Sequence, residues 1–498
     1  MHWLAEGHAV SARRSSVSVL VAVLVLALSN AVPAGTSAAT TNGWQRKVAP
    51  RVVLDTAGGK SASFVVMLAS QADLDAAATL PTKLAKGRFV FDALRAHAAR
   101  TQAPLRALLD RLGVEYKTHW VVNLITVLSG NRDLVRALAT RSDVARVDTN
   151  DWARSSIVPT TPPVPAPATD APDGIGWNVT RVKAPTAWQH GFTGQGMVVG
   201  DIDTGFQWDH PALKAHYRGW DGSAADHNYN WFDEIAGSPT PVDSNGHGTA
   251  TLGSIVGDDG GSNRIGVAPG AQWIGCRAMD VDGEGTPDTY IGCLEFMVAP
   301  TDLQGNNPDP SKAPVAVNNS WFCSLSDGEC PDQSILLAAV RDVRAAGIVP
   351  VVAAGNSGPD CSTIGINGPP AQYDESFTVG AVTFENSLAS FSSRGPATFQ
   401  GTRIKPDMVA PGEDVRTSWP PNAYAFESGT SMASPHIVGV IALVYSAKPS
   451  LLGNVAATER LLERTASRYN SAECDSNGTF PNNLYGYGLP DAGKAVRP

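Results

Sequence analysis

A serine hydroxyl set among small residues, just before a long apolar run, is placed where a nucleophile can be approached closely. Gly429-Thr430-Ser431-Met432-Ala433-Ser434-Pro435 leads straight into the run from Ile437 to Ala447. A helix starting there puts its positive end next to any negative charge that develops on the reacting group. Upstream, Met197-Val198-Val199-Gly200-Asp201-Ile202 reads as a buried strand running into Asp203-Thr204-Gly205. A carboxylate at a strand's carboxyl end, followed by a Gly turn, faces the crevice where open α/β sheets hold their sites. Asp201 is a rival on the same strand face; the turn begins at Asp203, which favours that residue. Between them in the chain, Asn245-Gly246-His247-Gly248-Thr249 offers an imidazole flanked by glycines, the open setting that proton transfer needs. Asp203, His247 and Ser431 stand in one of the known chain orders for a hydrolytic triad.

Each element alone is ambiguous, since Asp-Thr-Gly is also an ordinary turn. The three together, in this order, leave that bland reading little room. A fourth element agrees with them. Ile348 to Ala354 is a second apolar strand, and it ends in Gly355-Asn356-Ser357-Gly358. Asn356 then offers a side-chain donor at the same sheet edge, as acyl transfer requires for its oxyanion.

These residues resemble the subtilisin family of serine peptidases, from about Trp177 to Val496. Ile265-Gly266-Val267-Ala268-Pro269-Gly270, Val317-Asn318-Asn319-Ser320-Trp321, Ser390 to Pro396 and Lys405 to Gly412 carry the likeness further. His210 to Lys214, Tyr217-Arg218-Gly219, Asn230 to Asp233 and Ser238 to Pro241 are similar to the bacillopeptidase F-like branch. The resemblance implies an α/β fold with a doubly wound parallel sheet, and a serine endopeptidase. Its catalytic residues would be Asp203, His247 and Ser431, with Asn356 as oxyanion donor. It also implies a primary specificity pocket between Ser320-Trp321 and Ala354-Gly355. Neither stretch carries an acidic residue, so an apolar or broad preference is expected. No cofactor is needed for such chemistry and no metal ligand is assigned. Asp258 to Asn263 offers oxygen ligands where relatives often hold a structural calcium, while Arg264 beside it would repel a cation; a structural calcium and a solvated turn are both open there. One departure is Ala250, where the family usually has a second histidine.

The 498 residues suggest two or three domains. With 38 Lys and Arg against 47 Asp and Glu, the net charge of −9 argues against nucleic acid as a partner. Arg13-Arg14, the apolar run Val17 to Leu28 and the small residues Ala34 to Ala39 read as a secretory signal peptide over 1–39. The run is short for a membrane span. A secreted, extracellular enzyme follows, and a monomer is expected. All six cysteines lie beyond residue 275, and an even count in a secreted chain suggests disulfides, with 15 connectivities open. One consistent set joins Cys323 to Cys330, joins Cys276 at a strand end to Cys293 on the next helix, and leaves Cys361 with Cys474.

Residues 49–150 read as a separate small module of order βαββαβ, a ferredoxin-like α+β unit. Its strands are expected at Ser63 to Leu68, Val114 to Tyr116, Val121 to Leu128 and Val144 to Val147. Its helices are expected at Phe89 to Leu112, interrupted or kinked at Pro104, and at Asp133 to Leu138. By resemblance it is an inhibitory propeptide whose tail occupies the cleft until it is cut. Residues 151–174 form a Pro-rich linker holding the maturation site, and 175–498 the peptidase domain, with no room for a further binding domain after it. Two other classes compete. An inactive, binding-only relative would have lost a site residue, and none is lost. A lipase would carry its serine first, in a Gly-x-Ser-x-Gly elbow.

Overall fold

The computed structural model describes residues 43–150, 174–323, 332–362 and 368–497, and the backbone of two short strands between the first two stretches. The expected signal peptide lies outside the described residues. The N-terminal module begins with α1 (Pro50–Asp55) and β1 (Ser61–Leu68). Period-two alternation sends Phe64, Val66 and Leu68 to one face and Val65 to the other. Next, α2 (Lys83–Leu112) is continuous through Pro104 and starts six residues earlier than the apolar pattern indicates. Thr82 caps it by accepting from Ala85 N, a contribution of about 1 kcal/mol. Pro104 is tolerated because it lies on the exposed face, where water can serve the Arg100 carbonyl left without its N–H. After β2 (Tyr116–His119) and β3 (Leu124–Asn131) come α3 (Arg132–Ala139) and β4 (Val144–Thr149). The sheet order β2-β3-β1-β4, antiparallel at every step, is that of a split βαββαβ unit. Relative to the sequence expectation, β2 is shifted a few residues towards the C-terminus.

Two short strands come next, β5 (Ala153–Arg154) and β6 (Val164–Pro165), then α4 (Trp177–Arg181) and α5 (Ala184–Gln189). The main sheet is built from β7 (Val198–Asp203), β8 (Trp231–Asp233), β9 (Gln272–Arg277), β11 (Ala316–Asn319), β12 (Val349–Ala353), β13 (Phe377–Val382) and β14 (Met408–Pro411). Their order is β14-β13-β12-β11-β7-β9-β8, and every pair is parallel. Such strands are covered on both faces, which is why they read as near-continuous apolar runs. One face carries α6 (His247–Val256) and α9 (Thr430–Ala447), and the other carries α7 (Pro287–Val298) and α8 (Leu337–Ala345). The two-residue strand β10 (Glu284–Gly285) precedes α7; the hairpin β15 (Val415–Trp419) and β16 (Ala423–Glu427) precedes α9; α10 (Val455–Thr465) and α11 (Ala492–Ala495) close the chain. Among the described residues α9 is the one helix long and apolar enough to cross a membrane. It is apolar all round because it is a core helix, buried from Thr430 to Tyr445.

From β7 the chain goes out to β9 on one side and returns to β11 on the other. The strand order therefore reverses between β7 and β11, and the carboxyl ends of these strands open a crevice there. Asp203 and Ser320 lie at its two lips.

Cys276 pairs with Cys293, pinning β9 to α7, and Cys361 pairs with Cys474. Cys330, the expected partner of Cys323, lies outside the described residues. The face of the module's sheet that carries Val65 packs against α7 and α8. There Val65, Val121, Val122 and Leu124 join Ile291, Leu294, Ala339 and Val343 in one buried cluster. Polar groups line its edge. Glu295 accepts from the N–H groups of Trp120 and Val121, and Asp288 accepts from Thr126 Oγ1 at 2.6 Å. Asn150 Oδ1 accepts from Asp288 N in the first turn of α7.

Candidate active site

Asp203, the last residue of β7, is fully buried, and its Oδ1 lies 2.7 Å from His247 Nδ1. His247 opens α6, and that helix begins where it does for local reasons. Asp243 accepts from Gly246 N and Thr249 N, while Thr204 Oγ1 accepts from Gly248 N. A Cβ on Gly248 would lie 2.1 Å from the Gly205 carbonyl, so only glycine lets the helix come this close to the strand end. Gly246 has φ 107, which also favours glycine. Asp243 was not singled out from the sequence; an acid three residues before a helix-opening glycine is its only signal. Burial pulls the His247 pKa down, but the Asp203 carboxylate outweighs it, so the imidazole titrates above its ordinary value. Two other buried histidines are structural. His436 accepts from Asn178 Nδ2 and donates to the Met432 carbonyl, and burial holds it neutral with a pKa near 4. His210 donates to the Ala423 carbonyl.

Ser431 is the second residue of α9 and is 6% exposed. Its Oγ lies 3.4 Å from the Ser320 carbonyl, and His247 Nε2 has no hydrogen-bond partner. Asp203 and His247 are thus directly bonded, while the serine and the imidazole are not. Pro435, four residues on, has no N–H for the Ser431 carbonyl; Ser320 Oγ supplies the missing donor at 2.8 Å. This replacement donor explains why the serine helix tolerates a proline in its second turn. Asn356 comes after β12, and its Oδ1 accepts from Thr430 N and Thr430 Oγ1 at 2.8 and 2.9 Å. That fixes the amide plane. A Cβ on Gly429 would lie 3.6 Å from Asn356 Nδ2 and 3.8 Å from Ser431 Cβ, so donor and hydroxyl border the same small space.

Ser320 comes directly after β11, and Ala354-Gly355 directly after the neighbouring β12, so both proposed pocket walls stand at the crevice. Gly355 N donates to Thr430 Oγ1 at 3.0 Å. Trp321 is 2% exposed and stacks on Tyr290 with ring centroids 3.8 Å apart. Its ring is therefore packed against α7, and Tyr290, unremarked in the sequence, shares its site.

The 258–263 turn does not suit a calcium ion. Asp259 accepts from Gly261 N, Asn263 N and Asn263 Nδ2, while Arg264 stands 4.0 Å from Asp258. Among the described residues no group of three acidic, His or Cys side chains could hold a metal.

Comparison with known proteins agrees with this architecture. The Subtilase family (Peptidase S8) profile matches residues 194–488, more than half of the chain. Bacillopeptidase F of Bacillus subtilis is 42% identical over 340 residues, which are 66% of this chain and 22% of that protein. The match thus spans under a quarter of that relative's length. Subtilisin BL of Lederbergia lenta is 33% identical over 65% of this chain and 99% of its own. M-protease of Shouchella clausii is 32% identical over 67% of this chain and 72% of its own. On the matched region and on the parallel sheet that carries it, this chain belongs to the Subtilase family of serine peptidases.

Proposed function

We propose that this chain is a secreted serine endopeptidase made as a self-inhibited precursor. The observation that carries the reading is the 2.7 Å Asp203–His247 bond at the switch point, beside Ser431 at a helix start. Ser431 Oγ attacks the scissile carbonyl and forms the tetrahedral intermediate. His247 Nε2 takes the hydroxyl proton and later delivers it to the leaving amine. Asp203 holds the imidazole tautomer and stabilises the imidazolium. Asn356 and backbone N–H near Ser431 hold the oxyanion. The rim of Ser320, Ala354 and Gly355 contacts the extended substrate, while the Trp321 ring, expected to line the pocket, is instead buried behind it against Tyr290. Replacing Asn356 by Ala is expected to lower kcat about 100- to 1,000-fold with little change in KM, the loss known for the corresponding donor in subtilisin itself. Steady-state kinetics on a peptide substrate check this, and an unchanged kcat would remove Asn356 from the site.

The inhibitory reading of residues 49–150 is supported by the two short strands on their C-terminal side. Arg154 pairs antiparallel with Glu284 and Ala153 with Gly285, adding β5 to β10 as a substrate strand would add to an exposed edge. That edge adjoins the site, because Ala278, six residues before Glu284, donates its N–H to the Asp203 carbonyl. Further on, β6 pairs with Ala425 and Phe426 of β16, which ends four residues before Ser431. The chain is thus held on both sides of the site, and the maturation cut is expected between Arg154 and Val164. N-terminal sequencing of the secreted product tests this; a mature start at or before residue 154, or after residue 164, would contradict it.

The module's hold should depend on pH. Burial lowers the His119 pKa, but its hydrogen bond to Asp288 and the Glu295 carboxylate 3.6 Å away, both on α7, raise it to about 9. The contribution of His119⁺ is therefore full below its ordinary pKa of about 6.5 and is lost as pH rises through about 9. Inhibition by an added 43–154 fragment should weaken on the order of tenfold more between pH 7 and 10 for the natural sequence than for His119→Gln. The same pH response in both would contradict the assignment.

A further inference from the structure

We infer that Asp201 works as a neutral carboxylic acid, a hydrogen-bond donor that positions His247 and Ser431 relative to one another; this rests on the peptidase reading above. Asp201 lies two residues before Asp203 on β7, on the same strand face, and is fully buried. It does not reach the imidazole. Its Oδ1 accepts from Asn318 Nδ2 at 3.0 Å, and its Oδ2 lies 2.9 Å from Thr251 Oγ1.

Counting the protons around Thr251 favours the neutral state. The Thr251 hydroxyl has one proton and two oxygens in reach, Asp201 Oδ2 and the Gly248 carbonyl at 3.0 Å. A carboxylate and a carbonyl are both acceptors only, so an ionised Asp201 would leave one of these contacts without a proton. A protonated Asp201 donates to Thr251 Oγ1, Thr251 donates to Gly248 O, and Asn318 donates to the other acid oxygen. Every contact is then a hydrogen bond. Burial and the neighbouring Asp203 charge act in the same sense, pushing this carboxyl well above the usual range.

The neutral acid is one link of a longer buried chain. Asn318 Oδ1 accepts from Ser434 Oγ at 2.8 Å, and Asn318 Nδ2 also lies 2.9 Å from Ser320 Oγ. Ser320 Oγ lies 3.0 Å from Ser434 Oγ and donates to the Ser431 carbonyl. At the other end, Thr251 is one turn along α6 from His247. The chain therefore ties the first turn of the histidine helix to the first turn of the serine helix, through β7 and β11. Charge matters as well as geometry. The groups acting on His247 are Asp203 from β7, Glu427 from β16 and Asp201 itself. An anion at Asp201 would raise the imidazole pKa further, on top of the Asp203 and Glu427 charges, whereas the neutral acid does not.

The test compares the self-matured natural chain with Asp201→Asn and Asp201→Leu. Asn carries one donor and one acceptor in the same places as the acid. It should keep kcat within about threefold and leave the acid limb of kcat/KM in place. Leu offers neither and should lower kcat about tenfold or more with KM within about twofold. Infrared spectroscopy should show a protonated-carboxyl stretching band that Asp201→Asn lacks. If Asp201→Leu does not fold, the Asn variant and the infrared band still decide. An acid limb shifted downward in Asp201→Asn, a loss in Asn as large as in Leu, full kcat in a folded Leu variant, or an active natural chain without the band would each overturn the inference alone. A natural chain that cuts no peptide would overturn the peptidase reading and the positioning role with it.

Discussion

Ser431→Ala is expected to lower kcat by about 10⁶-fold and to leave the N-terminal module attached. The magnitude is the one known for removal of the nucleophile in subtilisin, where the triad acts as a unit and the residual rate comes from binding and the oxyanion site. The structural argument is local. Ser431 sits at a helix N-terminus, 6% exposed, with Asn356 fixed by Thr430 beside it. No neighbouring hydroxyl can substitute: Ser434 is committed to Asn318, and Thr430 to Asn356. Because removing one hydroxyl leaves no charge or large cavity, the variant should keep its fold and its melting temperature. Uncut full-length protein together with a lost rate is the expected pair of results. A variant that still matured and cut peptide at more than about a thousandth of the natural rate would show that another residue attacks.

Asp203→Asn is expected to lower kcat by about 10⁴-fold with a much smaller change in KM. An amide at this position offers the imidazole the wrong hydrogen-bond choice and no charge to stabilise the imidazolium. The anion also raises the His247 pKa, so the acid limb of the residual activity should move to lower pH in the variant. The contrast with Asp201→Asn is the sharper result. Two carboxyls two residues apart on one strand face should differ by about a thousandfold or more in their sensitivity to the same conservative change. A large loss at Asp201 with a small one at Asp203 would exchange their roles.

Much of this was legible in the sequence because the chemistry is carried by short, local stretches. The strand ends at Asp203 and Asn319, the glycines around His247 and the small residues around Ser431 each mark a position where backbone must approach closely. The βαββαβ order of the module was also legible, since its strands alternate with period two and its helices do not. Three things were not. The partners of Asp201 come from 50 and 117 residues away, and only the parallel register that sets Asp201 beside Asn318 brings them together. Pro104 reads as an interruption, yet α2 passes through it because the lost bond faces water. The Trp321 ring lies against Tyr290 because the chain turns after β11 towards α7, and local spacing does not record that direction.

The central claim is that Ser431 is the activated hydroxyl of this chain, and covalent labelling tests it most directly. The purified, matured protein is treated with a fluorophosphonate probe and mapped by peptide mass spectrometry. The account predicts a single adduct, on Ser431, lost in Asp203→Asn and absent while the module remains attached. A matured chain that carries no adduct, or carries it on another residue with Ser431 unmodified, would contradict it.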